Sequence, residues 1–282
     1  MAEFPYTVLD VFTNVPLEGN AVAVVHDADG VSDDVMGMFA RETRLSETCF
    51  VQTATENGAD YRNRIWTVAR EIPFAGHPSL GVATAVAHAR GETEATYVQQ
   101  TGAGLQPIDV RIEGAAGYAS VLQEPVRFGS EVEPAHVMAA VGLLPGDADP
   151  DRPPQFASTG LNTLIAPVRE RDALVRAAPD FDLIDALSDL DLNLYLVWVD
   201  RLHESAAARM FTSGVVGGED PATGSAAGPL CACLAEREGW GRLEITQGVE
   251  MGRPSRLIAE MEDGRPRVGG DVVTVIEGTV SL

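Results

Sequence analysis

Phe74-Ala75-Gly76-His77-Pro78-Ser79-Leu80-Gly81 and Asp220-Pro221-Ala222-Thr223-Gly224-Ser225-Ala226-Ala227-Gly228 read as one unit written twice. Each opens a run rich in Ala, Val and Leu that predicts a helix, ending at about Arg90 in the first copy and about Glu238 in the second. A short strand pattern, a turn bearing Gln and Gly, and another strand pattern follow in both. These are residues 95–99, 100–104 and 108–112 in the first copy, and 243–246, 247–252 and 256–259 in the second. A helix that is apolar on most faces must be buried on several sides, and a sheet curled around a central helix meets that need. The start of a helix leaves backbone N–H groups unpaired and carries partial positive charge, which makes it an anion site. Two such starts in duplicated halves imply one carboxylate-bearing ligand held between two domains, an arrangement suited to an enzyme.

The duplication also sets the expected boundaries. Residues 114–129 are punctuated by glycine around a single strand pattern, 118–122, and the crossing between domains is placed after it. The expectation is one domain over residues 1–124 and a second over 125–270, with a terminal strand at about 271–282 able to return to the first. Further strands are expected over 6–12, 21–25, 46–51, 61–68, 163–168 and 194–199, and helices over 33–41, 133–141, 171–177 and 181–188. The fold class is therefore α+β, rich in strands.

Composition narrows the partners. The 282-residue chain has 42 acidic residues against 20 arginines and no lysine, a formal net charge of −22. Such a surface repels nucleic acid and anionic membranes, so neither is an expected partner, and an anionic ligand must be held by local donors. A GC-rich source or a salty cytoplasm accounts for the acid-rich, lysine-free balance without a functional role. The chain has no apolar run of membrane-spanning length, and its opening Met1-Ala2-Glu3-Phe4-Pro5 has no leader pattern, so a soluble cytoplasmic protein is expected. Its three cysteines, Cys49, Cys231 and Cys233, are odd in number and do not suggest a disulfide framework. Cys231 and Cys233 point about 200° apart on a helix and have no clustered His partners, so no metal site is expected and buried structural thiols are the better reading.

Three residues stand out as proton-transfer candidates. Glu47, in Leu45-Ser46-Glu47-Thr48-Cys49-Phe50, lies at a loop-to-strand junction beside apolar residues, where desolvation suits a carboxyl to general acid–base work. On spacing alone the commoner reading of such a position is a solvated strand start. His77 is the second residue of a helix start, where the dipole opposes a positive charge; a neutral ring there serves as donor or acceptor toward a bound acid, or simply packs. Asp220 is either a helix cap or a working acid, and Gly224 and Ser225 add close backbone approach and a hydroxyl at the same end. Asn20, Gln247 and Arg253 are weaker candidates for ligand contact. Neither phosphate-cradling glycine pattern is present, so no nucleotide cofactor is expected.

Taken together, Asp10-Val11-Phe12 with Pro16-Leu17-Glu18-Gly19-Asn20, Leu45-Ser46-Glu47-Thr48, Pro73-Phe74-Ala75-Gly76-His77-Pro78, Glu219 to Leu230, and Gln247 to Ser255 resemble the PhzF family of phenazine-biosynthesis-type proteins. The resemblance runs in order from about residue 6 to the C-terminus. It implies a diaminopimelate-epimerase-like fold of two pseudo-symmetric domains, each a β-barrel-like sheet around a central helix, assembled as a homodimer with no cofactor. It further implies an isomerase acting on a small cyclic carboxylic acid, of the trans-2,3-dihydro-3-hydroxyanthranilate isomerase type. Catalytic roles are implied for Glu47, His77 and Asp220, and substrate contacts for Asn20, Gly76, Gly224 and Ser225. An isomerase or cyclase of another natural-product pathway and a non-catalytic carboxylate binder are the alternatives. The two-thiol racemisation of the epimerase relatives is not expected, because neither helix start carries a cysteine.

Overall fold

The structure, a computed structural model, describes residues 2–114 and 116–282. Met1, at the head of the segment expected to lack a leader, and Ala115, in the glycine-punctuated stretch, lie outside the described residues. The chain divides into two compact units, residues 1–122 with 269–282, and residues 123–268.

In the first unit the elements are β1 (Glu3–Val11), β2 (Asn20–Val25), α1 (Asp33–Thr43), β3 (Glu47–Gln52), β4 (Tyr61–Trp66), β5 (Glu71–Ile72), α2 (Gly76–Arg90), β6 (Glu94–Thr101), β7 (Gly104–Glu113) and β8 (Ala116–Leu122). The second unit has β9 (Arg127–Glu131), α3 (Pro134–Ala140), β10 (Gln155–Ser158), β11 (Thr163–Val168), α4 (Asp172–Arg176), α5 (Phe181–Asp185), β12 (Asn193–Asp200), β13 (Ser205–Phe211), β14 (Glu219–Asp220), α6 (Gly224–Glu238), β15 (Arg242–Gln247) and β16 (Ser255–Glu262). The last strand, β17 (Arg265–Ser281), starts in the second unit and finishes in the first. It is a single long strand that begins earlier than the terminal pattern suggests.

Within the first unit, β1 pairs antiparallel with β2, β2 runs parallel to β3, β3 pairs antiparallel with β4, β4 runs parallel to β6, and β6, β7 and β8 form an antiparallel meander. β17 pairs with both β1 and β8, which closes these strands into a ring of eight. α2 packs against β1, β2, β3, β4, β6, β7 and β8, so it fills the ring. Its residues from His77 to Ala87 are all buried. The small side chains make this possible: a Cβ on Gly81 would come within 2.5 Å of the Val22 Cγ1 atom, and the strand could not approach. The side chains of Ser79 and Thr84 donate back to the carbonyls of Ala75 and Leu80, so neither hydroxyl is stranded in the apolar interior. α1 covers the outer face, where Phe4, Val25, Met36 and Phe50 form a second core.

Within the second unit the pairings recur in the same sequence of directions. β10 and β11 are antiparallel, β11 and β12 parallel, β12 and β13 antiparallel, β13 and β15 parallel, and β15 and β16 antiparallel. α6 has the same 15-residue length as α2, and residues Gly224 to Leu234 are all buried. Residues of α3, α4 and α5 close the other face over Leu164, Leu194, Leu196 and Phe211. Among the described residues no helix is long and apolar enough to cross a membrane. All three cysteines are buried free thiols, as their positions suggested.

Candidate functional site

In the first unit, three sequence-predicted residues meet at the start of α2. Asn20 is delivered by a tight loop after β1, in which Phe12, Leu17 and Gly19 all adopt left-handed backbone (φ 67°, 73° and 65°). Gly19 is required there, because a Cβ would lie 2.4 Å from the Val11 carbonyl oxygen. The Asp10 carboxylate anchors the loop by accepting from the Leu17 N–H at 2.6 Å. Asn20 opens β2 and Glu47 opens β3, the neighbouring parallel strand, so both arrive at the same end of the sheet.

His77, second residue of α2, lies between them. The Asn20 Nδ2 atom is 3.2 Å from His77 Nδ1, and the Glu47 Oε2 atom is 3.3 Å from His77 Nε2. All three side chains are buried. Burial drives the His77 pKa down to about 3, against a smaller opposing effect of a hydrogen bond with the Ala21 backbone. The Glu47–His77 contact is short enough for an ion pair, but the ring is uncharged at neutral pH, so it is a carboxyl group against a neutral imidazole. A neutral imidazole donates through one nitrogen and accepts through the other. The partner Asn20 provides on Nδ1 therefore selects what Nε2 presents to Glu47. Asn20, expected as a ligand contact, is a hydrogen-bond neighbour of the histidine.

A buried amide chain supports this helix start. Asn63 Nδ2 donates to Gln99 Oε1, Gln99 Nε2 donates to Ser79 Oγ at 2.7 Å, and Ser79 in turn binds the Ala75 carbonyl. Nearby Cys49 is raised well above the usual thiol range by burial, with the Glu47 charge adding and Asn63 opposing. It is an inert thiol, not a second acid–base group. Ala75 precedes Gly76, the first helical residue, and provides no side-chain cap.

The second unit arranges its counterpart differently. Asp220 lies in β14, opposite Met210 of β13, so it is a strand residue and does not cap the helix. Thr223 holds the position before α6, and its hydroxyl donates to Asp220 Oδ2 at 2.5 Å without capping a helix N–H. Gln247, at the end of β15, is fully buried: its Nε2 donates to the Asp220 carbonyl (2.8 Å) and to Thr223 Oγ1 (3.0 Å). Its Oε1 accepts from the Tyr195 hydroxyl (3.0 Å) and the Thr223 N–H (3.3 Å). Tyr195 is held protonated far above neutrality, chiefly by burial and secondarily by the Asp220 charge. Gly224 and Ser225 are the first two residues of α6, and Gln123 Nε2 donates to the Gly224 carbonyl at 2.9 Å. Arg253 is half-buried in the loop before β16, where its N–H donates to the Gly248 carbonyl.

Gln99, Asn63, Thr223, Tyr195 and Gln123 were not singled out in the sequence. One signal was available. Gln99 and Gln247 each follow a 15-residue helix by the same distance near the end of a strand, and both are fully buried, where an amide must find internal partners.

The family comparison covers this whole arrangement. Residues 9–278 match the phenazine biosynthesis-like protein family, PhzC–PhzF. A trans-2,3-dihydro-3-hydroxyanthranilate isomerase from Pseudomonas fluorescens is 35% identical, over 98% of this chain and 99% of that protein. Among solved structures, a predicted epimerase from Pseudomonas aeruginosa is 34% identical with a TM-score of 0.85, covering 98% of this chain and 99% of its own. A hydroxyproline epimerase from Agrobacterium vitis shares the fold at 12% identity and a TM-score of 0.65, covering 99% of this chain and 91% of its own. With a mixed α/β, epimerase-like fold and a match across nearly its full length, the chain belongs to the PhzC–PhzF phenazine biosynthesis-like family and is an isomerase of that type.

Proposed function

We propose that the protein moves a proton from one carbon to another within a small cyclic carboxylic acid, with trans-2,3-dihydro-3-hydroxyanthranilate as the first candidate, and does so without a cofactor. The observation that carries this reading is Glu47 against neutral His77, both buried and 3.3 Å apart. An imidazole that burial keeps uncharged gives the Glu47 carboxylate no ion-pair stabilisation of its own. Glu47 takes the proton from the substrate carbon and returns it to a second carbon, while His77 holds a polar group of the substrate or of Glu47 itself by hydrogen bonding. Asp220 is proposed as a second acid–base group, and Gly76, Gly224 and Ser225 as contacts for the substrate's polar groups. Asn20 serves through His77.

The helix starts support carboxylate recognition, because neither α2 nor α6 is closed by a side-chain cap. The same reading takes the two units as pseudo-symmetric copies, supported by their equal helix lengths and shared order of pairings. It also takes the protein as a cytoplasmic homodimer, which light scattering of the purified chain tests.

The decisive test is incubation of the protein with trans-2,3-dihydro-3-hydroxyanthranilate in D₂O, followed by NMR. Conversion to an isomer, with deuterium entering at least part of the product or recovered substrate, is expected. A compound that binds and is recovered unchanged and unlabelled would make the protein a carboxylate binder.

A further inference from the structure

The hydrogen bonds around Gln247 have a fixed direction. The Thr223 N–H can only donate, so the Gln247 atom 3.3 Å away is the carbonyl oxygen. The Asp220 carbonyl can only accept, so the atom 2.8 Å from it is the amide nitrogen. The orientation of the amide is thus settled by two backbone groups, and all four of its hydrogen-bonding positions are used. Its second N–H points at Thr223 Oγ1, which must accept it. The single proton of that hydroxyl is then directed to Asp220 Oδ2, 2.5 Å away.

From this we infer that Gln247 and Thr223 are positioning residues that fix Asp220 in one orientation and hold its Oδ2 as an acceptor. The inference rests on the reading of Asp220 as a working acid–base group. The Thr223 bond strengthens as Asp220 becomes charged, which favours the ionised form. Tyr195, from β12, is a titratable group that senses Asp220, and it stays neutral; Glu219, next to Asp220 in β14, is paired with Arg209 of β13 at 2.8 Å. Gln247 is 0% exposed, so its role is internal and distinct from ligand contact.

The test is the titration of Asp220 in the full-length protein without substrate. Carbon-13 NMR of aspartate-labelled protein reads it, with the Asp220→Asn variant assigning the resonance. Thr223→Val keeps the shape and removes the hydroxyl; Thr223→Ser restores the donor. The midpoint is expected to rise by about one to two pH units in the valine variant, the loss of one charge-assisted hydrogen bond, and to return towards the wild-type value in the serine variant. If the valine variant does not fold, Gln247→Asn, which withdraws the amide from Thr223, should raise the midpoint in the same direction. An unchanged midpoint in the folded variant overturns the proposal, whatever the isomerase assay shows. A protein that leaves trans-2,3-dihydro-3-hydroxyanthranilate unconverted would overturn the earlier reading and leave this titration result standing.

Discussion

The starts of α2 and α6 are built to one plan and equipped for different work. Both helices run 15 residues, lack a side-chain cap and are braced by a buried glutamine from the strand that follows. At the second helical position the first unit has His77 and the second has Ser225. The carboxyl group of the first unit, Glu47, meets a ring made neutral by burial. That of the second, Asp220, receives a hydroxyl proton whose direction is dictated by Gln247. The two carboxyls therefore meet different partners, an uncharged ring in the first unit and a hydroxyl donor in the second. In this pair of units the scaffold repeats and the partner of the carboxyl does not.

The largest expected effect separates the two helix starts by pH. His77 is the titrating member, and its folded pKa of about 3 lies below the ordinary 6.5. The unfolded chain therefore binds a proton that the folded chain refuses between those values. The stability from keeping His77 neutral is fully present above pH 6.5 and is lost as pH falls towards 3, at up to about 1.4 kcal/mol per pH unit. Ser225, a hydroxyl, does not titrate in this range. Hydrogen exchange should show the first unit loosening as pH falls through this window, and His77→Gln should flatten the dependence. A wild-type slope equal to that of the variant would contradict a buried neutral His77.

A smaller effect compares the two braces. Gln247→Leu orphans the Tyr195 hydroxyl, the Thr223 N–H and the Asp220 carbonyl, whereas Gln99→Leu orphans Asn63 and Ser79 side-chain groups that have rotational freedom. Each buried group left unsatisfied costs about 1–3 kcal/mol. Urea unfolding should show both variants destabilised, Gln247→Leu the more so, by about 1 kcal/mol. Equal or reversed losses would mean that the fixed backbone partners of Gln247 do not tighten its brace.

Much of this was legible in the sequence because the informative residues are the ones that recur or break a local pattern. Two apolar helices opened by Gly-His-Pro and Gly-Ser announced both the central helices and where they begin. Glu47 and His77 could be named from their junctions, yet their contact depends on α2 packing inside the ring against β3, which no spacing reveals. β13 escaped notice because Arg209 interrupts its apolar run, and the reason for burying Arg209 is non-local: Glu219 and the Leu174 and Ala177 carbonyls receive its guanidinium. β9 was missed because all five of its residues are exposed and show no alternation. Asp220 resembled a cap in the sequence because the Pro221-Ala222-Thr223 step that places it in a strand is set by pairing with Met210.

The central claim is that Glu47 transfers the proton, and Glu47→Gln tests it most directly, since the amide preserves shape and removes the exchangeable acid. Turnover of trans-2,3-dihydro-3-hydroxyanthranilate should fall by about 10²–10⁴-fold, with substrate affinity, measured by calorimetry, essentially unchanged. Turnover retained in the glutamine variant, or affinity lost in step with turnover, would contradict a proton-shuttling role for Glu47.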